Sequence, residues 1–139
     1  MWFKITACIF LLILALSAGA QNDSIMTGVA SFYAHKFEGR KTASGELFRQ
    51  DSLTAAHKYL PFGTLVEVVN LSNDSVVVVK INDRLPQSSK RTIDLSYAAA
   101  TQLNFIKKGL TKVEIRLLPD SVIPKEAPEK TDSILINND

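Results

Sequence analysis

The stretch Leu65-Val66-Glu67-Val68-Val69-Asn70-Leu71-Ser72-Asn73-Asp74-Ser75-Val76-Val77-Val78-Val79-Lys80-Ile81 decides the fold. Residues 65–71 alternate imperfectly, Ser72-Asn73-Asp74 is a turn-forming cluster, and the valine run carries on to Ile81, so the segment reads as a β-hairpin. A run as continuously apolar as Val76-Val77-Val78-Val79 predicts a strand buried on both faces. Outward from the hairpin, residues 28–34 alternate, with Val29, Ser31 and Tyr33 on one face and Ala30 and Phe32 on the other. Residues 111–118 set Val113, Ile115 and Leu117 against Lys112, Glu114 and Arg116, which predicts a last strand. One short helix is expected after Ser96, whose hydroxyl can cap it, with Ala99, Ala100 and Leu103 inward and Lys107-Lys108-Gly109 ending it. The fold class is therefore mainly β, with one or two short helices.

The chain has 139 residues, room for one domain, and a single cysteine, which cannot form an internal disulfide. Disulfide scaffolds and cysteine zinc sites are excluded, and 46% hydrophobic residues with 22% charged argue against wholesale disorder. These averages cover unlike pieces. Lys4, an apolar run over residues 5–16 and the small residues Ser17-Ala18-Gly19-Ala20 read as a secretory signal peptide over residues 1–20. The apolar run is short of the roughly twenty residues that span a bilayer, so no membrane span is expected after cleavage. Cys8 opens that run instead of following it, so it is not placed for lipidation. Residues 21–26 form a short linker, residues 27–118 the domain, and residues 119–139 an acidic, proline-containing tail read as flexible. Residues 27–118 hold 13 Lys+Arg against 8 Asp+Glu, a net +5, and the tail holds 2 against 5, a net −3. A basic exported domain points to an anionic cell-envelope polymer and away from nucleic acid.

The loops between the strands carry the candidate chemistry. In Gly39-Arg40-Lys41-Thr42-Ala43-Ser44-Gly45-Glu46, the acid Glu46 reads either as a functional carboxylate or as a solvated partner of Arg40 and Lys41. His57, in the loop segment Thr54-Ala55-Ala56-His57-Lys58, is either a catalyst or a structural hydrogen-bonder. Asp83 follows the valine strand where a strand end presents side chains to a cleft, and Asp94 lies eleven residues on, before Leu95-Ser96. Two carboxylates at neighbouring strand ends suit general acid–base cleavage of a glycosidic bond, whereas single ion pairs or a helix cap would use them structurally. His35 and His57, twenty-two residues apart without cysteine, make no zinc pattern, and neither metal nor cofactor is expected.

The order of Gly28-Val29-Ala30-Ser31-Phe32-Tyr33, the Gly39 to Glu46 loop, Leu53-Thr54-Ala55-Ala56-His57-Lys58-Tyr59-Leu60-Pro61-Phe62-Gly63-Thr64, Val78-Val79-Lys80-Ile81-Asn82-Asp83-Arg84 and Arg91-Thr92-Ile93-Asp94-Leu95-Ser96 closely resembles the rare lipoprotein A (RlpA) family. The resemblance spans nearly all of residues 27–118. It implies a six-stranded double-psi β-barrel, related to expansin and barwin-like domains, and a septal-ring lytic transglycosylase of peptidoglycan. By resemblance Glu46 matches the acid of the T-A-x-G-E motif, His57 the histidine of A-A-H-K, Asp83 the aspartate of N-D-R-G-P, and Asp94 the aspartate that expansin-like barrels place in a D-L-S context. Asp94 and Asp83 are then first candidates for acid and base, with Glu46 and His57 positioning sugar or tuning ionisation. Tyr33, Thr42, Ser44, Lys58 and Arg84 are the expected substrate contacts, and Lys41 and Lys90 further cations facing its carboxylates.

Two departures stand out: Leu85 where the family has glycine after Asp-Arg, and Arg49 where an acid usually follows the Glu by three. Neither the family's lipid-bearing cysteine nor its SPOR domain is expected. The implied chemistry is non-hydrolytic cleavage between N-acetylmuramic acid and N-acetylglucosamine with a 1,6-anhydro product. The expected partner is the glycan strand, with cell-division proteins as further candidates, for a monomer exported to the periplasm or envelope without a lipid. The alternatives are a non-catalytic wall-binding or expansin-like loosening module and, with less behind it, a secreted inhibitor.

Overall fold

The computed structural model describes residues 24–118; the expected signal peptide and acidic tail lie outside the described residues. Six strands occur in the order β1 (Ile25–Phe32), β2 (Thr54–His57), β3 (Leu65–Asn70), β4 (Val76–Arg84), β5 (Ile93–Leu95) and β6 (Thr111–Leu117). A 3-10 turn at His35–Phe37 and a single helix, α1 (Tyr97–Gln102), complete the described elements. The strands close into a barrel in the spatial order β1-β5-β2-β4-β3-β6, so no strand is left as a free edge. β1 with β5 and β2 with β4 run parallel, and the other four pairings are antiparallel.

The hairpin forms as expected: β3 pairs antiparallel with β4 from Leu65 opposite Lys80 to Val69 opposite Val76. Asn70 sets its turn, with Oδ1 accepting the Ser72 N–H at 3.0 Å, while Asp74 takes a left-handed conformation at φ 60° that aspartate tolerates. The valine run is not buried on both faces. Val77 and Val79 are in the core, but Val76 and Val78 are 47% and 40% exposed, because the outer face of this hairpin has no layer packed over it. β-branched residues favour the pleated strand even where one face is wet, so the run reflects strand preference as much as burial.

β1 starts at Ile25 and ends at Phe32, not at 28 and 34, with Ala30 buried and Phe32 packed against the core as the alternation predicted. Ser96 caps α1, its Oγ accepting the Ala99 N–H at 3.3 Å, and Ala99, Ala100 and Leu103 are fully buried. The helix stops well before Lys107: Asn104 turns left-handed at φ 53°, which sends Phe105 into the core. β2 and β5 were not among the strands read from alternation. With four and three residues, all buried, they are too short and too uniformly covered to show a period.

Candidate active site: a cleft across three strand ends

β2 is the strip on which the site is laid out, because it pairs with β5 on one side and β4 on the other. Along β4 the register runs Thr54 with Lys80 and Ala55 with Ile81, then skips to Ala56 with Asp83, leaving Asn82 as the extra residue of a β-bulge. Ile81 remains fully buried in the core, and the bulge re-aims the next residues, so Asp83 can turn outward two places later. On the other side Ala56 pairs with Asp94, which itself pairs with Ser31 of β1. Ser31, Asp94, Ala56 and Asp83 thus form one row across four adjacent strands, and residues in register share a face. Two strand spacings put the Asp83 and Asp94 Cα atoms ~10 Å apart. Ala56, buried at 1% exposure, fills the register position between them, and the Tyr33 side chain reaches across from just past β1 to bond Asp83.

Each aspartate is held. The Asp83 carboxyl accepts the Tyr33 hydroxyl at 2.6 Å and the backbone N–H groups of Ala43 and Arg84, both at 2.9 Å. Asp94, 8% exposed, accepts the Ser31 hydroxyl at 2.5 Å on one oxygen and the Arg91 guanidinium at 3.1 Å on the other. Burial, and then the hydrogen bond given to Asp83, push the Tyr33 phenol far above its ordinary range, so it stays a neutral donor. A cleft of about 430 Å³ is lined by both aspartates, while Ser31 and Ala56 lie beneath its lining. Tyr33, Phe37 and Phe48 give it an aromatic lining, Leu85 and Pro86 line it too, and Thr42, Arg40, Lys41, Arg84 and Arg91 supply polar and cationic groups. Four cations against two carboxylates give the cleft a net positive rim.

Of the residues singled out from sequence, Asp83, Asp94, Tyr33, Thr42, Arg84 and Lys41 line this cleft, and Glu46, His57, Ser44, Lys58 and Lys90 do not. Glu46 is exposed on the far side of its turn, bonded to Lys80 at 2.8 Å and Asn82 at 3.2 Å. The Lys80 ammonium, and secondarily the Asn82 amide, hold its carboxyl below the usual range. His57 lies beneath the strand ends at 1% exposure, with Nδ1 accepting the N–H groups of Tyr59 at 3.3 Å and Leu60 at 3.2 Å. Burial, with Arg84 and Lys58 adding to it, lowers its pKa to about 4, so it is neutral at pH 7. Its Nε2 has no hydrogen-bond partner among the described residues. Ser44 braces the motif turn, with its hydroxyl 2.9 Å from that of Thr42. Leu85 is buried and still lines the cleft, and Arg49 pairs with Glu38 at 3.6 Å outside it.

Sequence reasoning did not find Ser31, Ala56, Arg40 or the Arg91 partnership. Arg91 had a signal, a cation three residues before Asp94, but the role of Ala56 comes from register and from nothing visible in its own neighbourhood. Among the described residues no group of three or more His, Cys, Asp or Glu side chains is placed to hold a metal ion, and no helix is long and apolar enough to cross a membrane.

Known proteins are similar to this chain. The chain is 50% identical over 102 residues to the endolytic peptidoglycan transglycosylase RlpA of Haemophilus influenzae, covering 73% of this chain and 36% of that one. It is 50% identical over 91 residues to the Pasteurella multocida protein of the same name, covering 66% of this chain and 31% of that one. It thus spans about a third of the length of these curated relatives. Among solved structures, the Streptomyces papain inhibitor superposes with a TM-score of 0.55 at 24% identity, over 68% of this chain and 94% of that one. The expansin of Clavibacter michiganensis does so with 0.56 at 19%, over 72% and 53%. At such identities these likenesses speak to fold alone, and with the closed six-stranded order they establish the double-psi β-barrel. The family model described as lytic transglycolase matches residues 25–115, from the first residue of β1 into β6, and on that match over the barrel this chain belongs to the lytic transglycolase, RlpA-type family.

Proposed function

We propose that this chain supplies the catalytic barrel of an endolytic peptidoglycan lytic transglycosylase, with the Asp83–Asp94 cleft as its active site. The observation that carries the reading is the register that sets Asp83 and Asp94 on either side of Ala56, with both aspartates lining one cationic cleft. In the proposed reaction a carboxyl of the pair gives a proton to the glycosidic oxygen as the bond from C1 of N-acetylmuramic acid breaks. The 6-hydroxyl oxygen of the same sugar forms the new bond to C1, and its proton passes to the carboxylate side of the pair. Atoms balance without water, and the products are a 1,6-anhydro end and a new N-acetylglucosamine 4-hydroxyl.

Tyr33 and the two backbone N–H groups orient Asp83, and Ser31 and Arg91 orient Asp94. Thr42 and the cations of the cleft are the proposed sugar and carboxylate contacts, while Ser44 and Glu46 shape the motif loop and His57 holds the start of the β2–β3 loop through the Tyr59 and Leu60 N–H groups. The relatives' names and the signal-like residues 1–20 support export to the periplasm or envelope, with residues 27–118 as the working domain.

Incubation with glycan strands stripped of stem peptides, followed by mass spectrometry, tests the reading. New 1,6-anhydro ends are expected from the wild type, and Asp83→Asn or Asp94→Asn should lower their rate at least ~100-fold with the barrel intact. Binding with no new ends would replace the enzyme with a wall-binding module.

A further inference from the structure

The four cations on the cleft are not equivalent. Arg91 is committed to Asp94 at 3.1 Å, and Lys41 and Arg40 are exposed on the motif loop, Arg40 lying 5.4 Å from the Phe37 ring. Arg84 is fixed, yet its charge is not neutralised. Its guanidinium carbon sits 4.1 Å from the centroid of the Phe62 ring, and its Nη1 donates to the backbone oxygens of His57 at 3.2 Å and Asp83 at 3.5 Å. No carboxylate pairs with it among the described residues, since the Asp83 carboxyl bonds the Arg84 backbone N–H and not its side chain. With Nη1 spent on carbonyls, the Nε and Nη2 donors remain, and these lie side by side on one edge of the guanidinium plane. That edge matches the two oxygens of a carboxylate.

We propose that Arg84 reads a carboxylate of the bound glycan through its Nε and Nη2 donors, and that Phe62 is the positioning residue that holds the guanidinium plane for it. This rests on the glycan-cleaving reading above. Phe62 comes from the β2–β3 loop and does not line the cleft, so it acts only through Arg84. A stacked guanidinium keeps its plane, whereas a free one samples rotamers and loses the paired geometry. The carboxylate has two sources on a peptidoglycan strand: the lactyl group of a muramic residue stripped of its peptide, or a stem peptide still attached.

The test is calorimetric binding in the Asp94→Asn background, so that no strand is cut. One preparation of stripped strands keeps its carboxylates, a second has them converted to neutral methylamides, and the same pair is made from strands that keep their stem peptides. The protein is expected to bind the first about tenfold more tightly. Phe62→Ala should cut that preference to about twofold, Phe62→Tyr should restore it, and Arg84→Lys, which keeps the charge but not the fork, should also lose most of it. Preference seen with stripped strands assigns the carboxylate to the sugar; preference seen only when stem peptides are present assigns it to the peptide. Equal binding of the carboxylate and methylamide forms for both kinds of strand, or a folded Phe62→Ala variant with the full preference, overturns the proposal. Because cutting is not measured, absence of 1,6-anhydro ends from the wild type would reject the transglycosylase reading without touching this result.

Discussion

His57 is fully buried, and its Nδ1 accepts two backbone N–H groups, which it can do only while unprotonated. A folded pKa near 4 against about 6.5 unfolded means that the unfolded chain binds the extra proton between those values. The stability contributed is complete above about pH 6.5 and is lost as pH falls toward 4, a change of roughly 2–3 kcal/mol. Thermal melts across that window should show the decline, and His57→Gln should flatten this part of it while lowering stability at pH 7. Ala56 carries a different constraint. It is buried in register between Asp83 and Asp94, so Ala56→Leu should push on the strand ends that carry them and reduce turnover more than tenfold, while overpacking costs about 1–3 kcal/mol. Rate and melting temperature measured on the same preparation separate the two effects.

Between the elements, Gly28 is where β1 meets the loop that delivers Arg91 and Asp94. A Cβ there would stand 1.9 Å from Thr92 Oγ1 and 2.5 Å from its Cβ, and the Thr92 N–H bonds the Val29 carbonyl at 2.8 Å. Gly28→Ala should therefore destabilise by about 1–3 kcal/mol and disturb Asp94 through its own strand. Thr92→Gly removes the colliding atoms, so denaturant melts should find the two changes non-additive.

The legible elements were those with enough residues to show a period or a cap. The β3–β4 hairpin, the alternation of β6 and the Ser96 cap all appear where the sequence put them. The site was legible as residue types at strand ends, Asp83 and Asp94 above all. Its geometry was not, because it depends on a bulge at Asn82 and on pairings of two very short strands, both non-local. Burial of His57 escaped for the same reason: it follows from β2 being enclosed between β4 and β5, not from the small residues beside it in the chain.

For the whole molecule, a barrel of net +5 with its cleft cations gathered on one face should bind an anionic strand with marked salt dependence. Raising ionic strength from 0.1 to 1 M shortens the Debye length from about 10 to 3 Å, so affinity for stripped strands should fall several-fold while the half-buried Arg84 contact persists. Binding isotherms at the two salt concentrations check this, and the preference for free carboxylates over amides should survive the change better than the total affinity.

If the cleft is the catalytic site, a glycan strand lies along it with its scissile bond between the Asp83 and Asp94 side chains. A crystal structure of the Asp94→Asn protein with a stripped muramic-containing oligosaccharide decides this. A glycosidic oxygen in the cleft, within about 3.5 Å of a side-chain oxygen or nitrogen at position 83 or 94, is the expected result. A strand bound on another face of the barrel, or in the cleft with no linkage near either side chain, would contradict it.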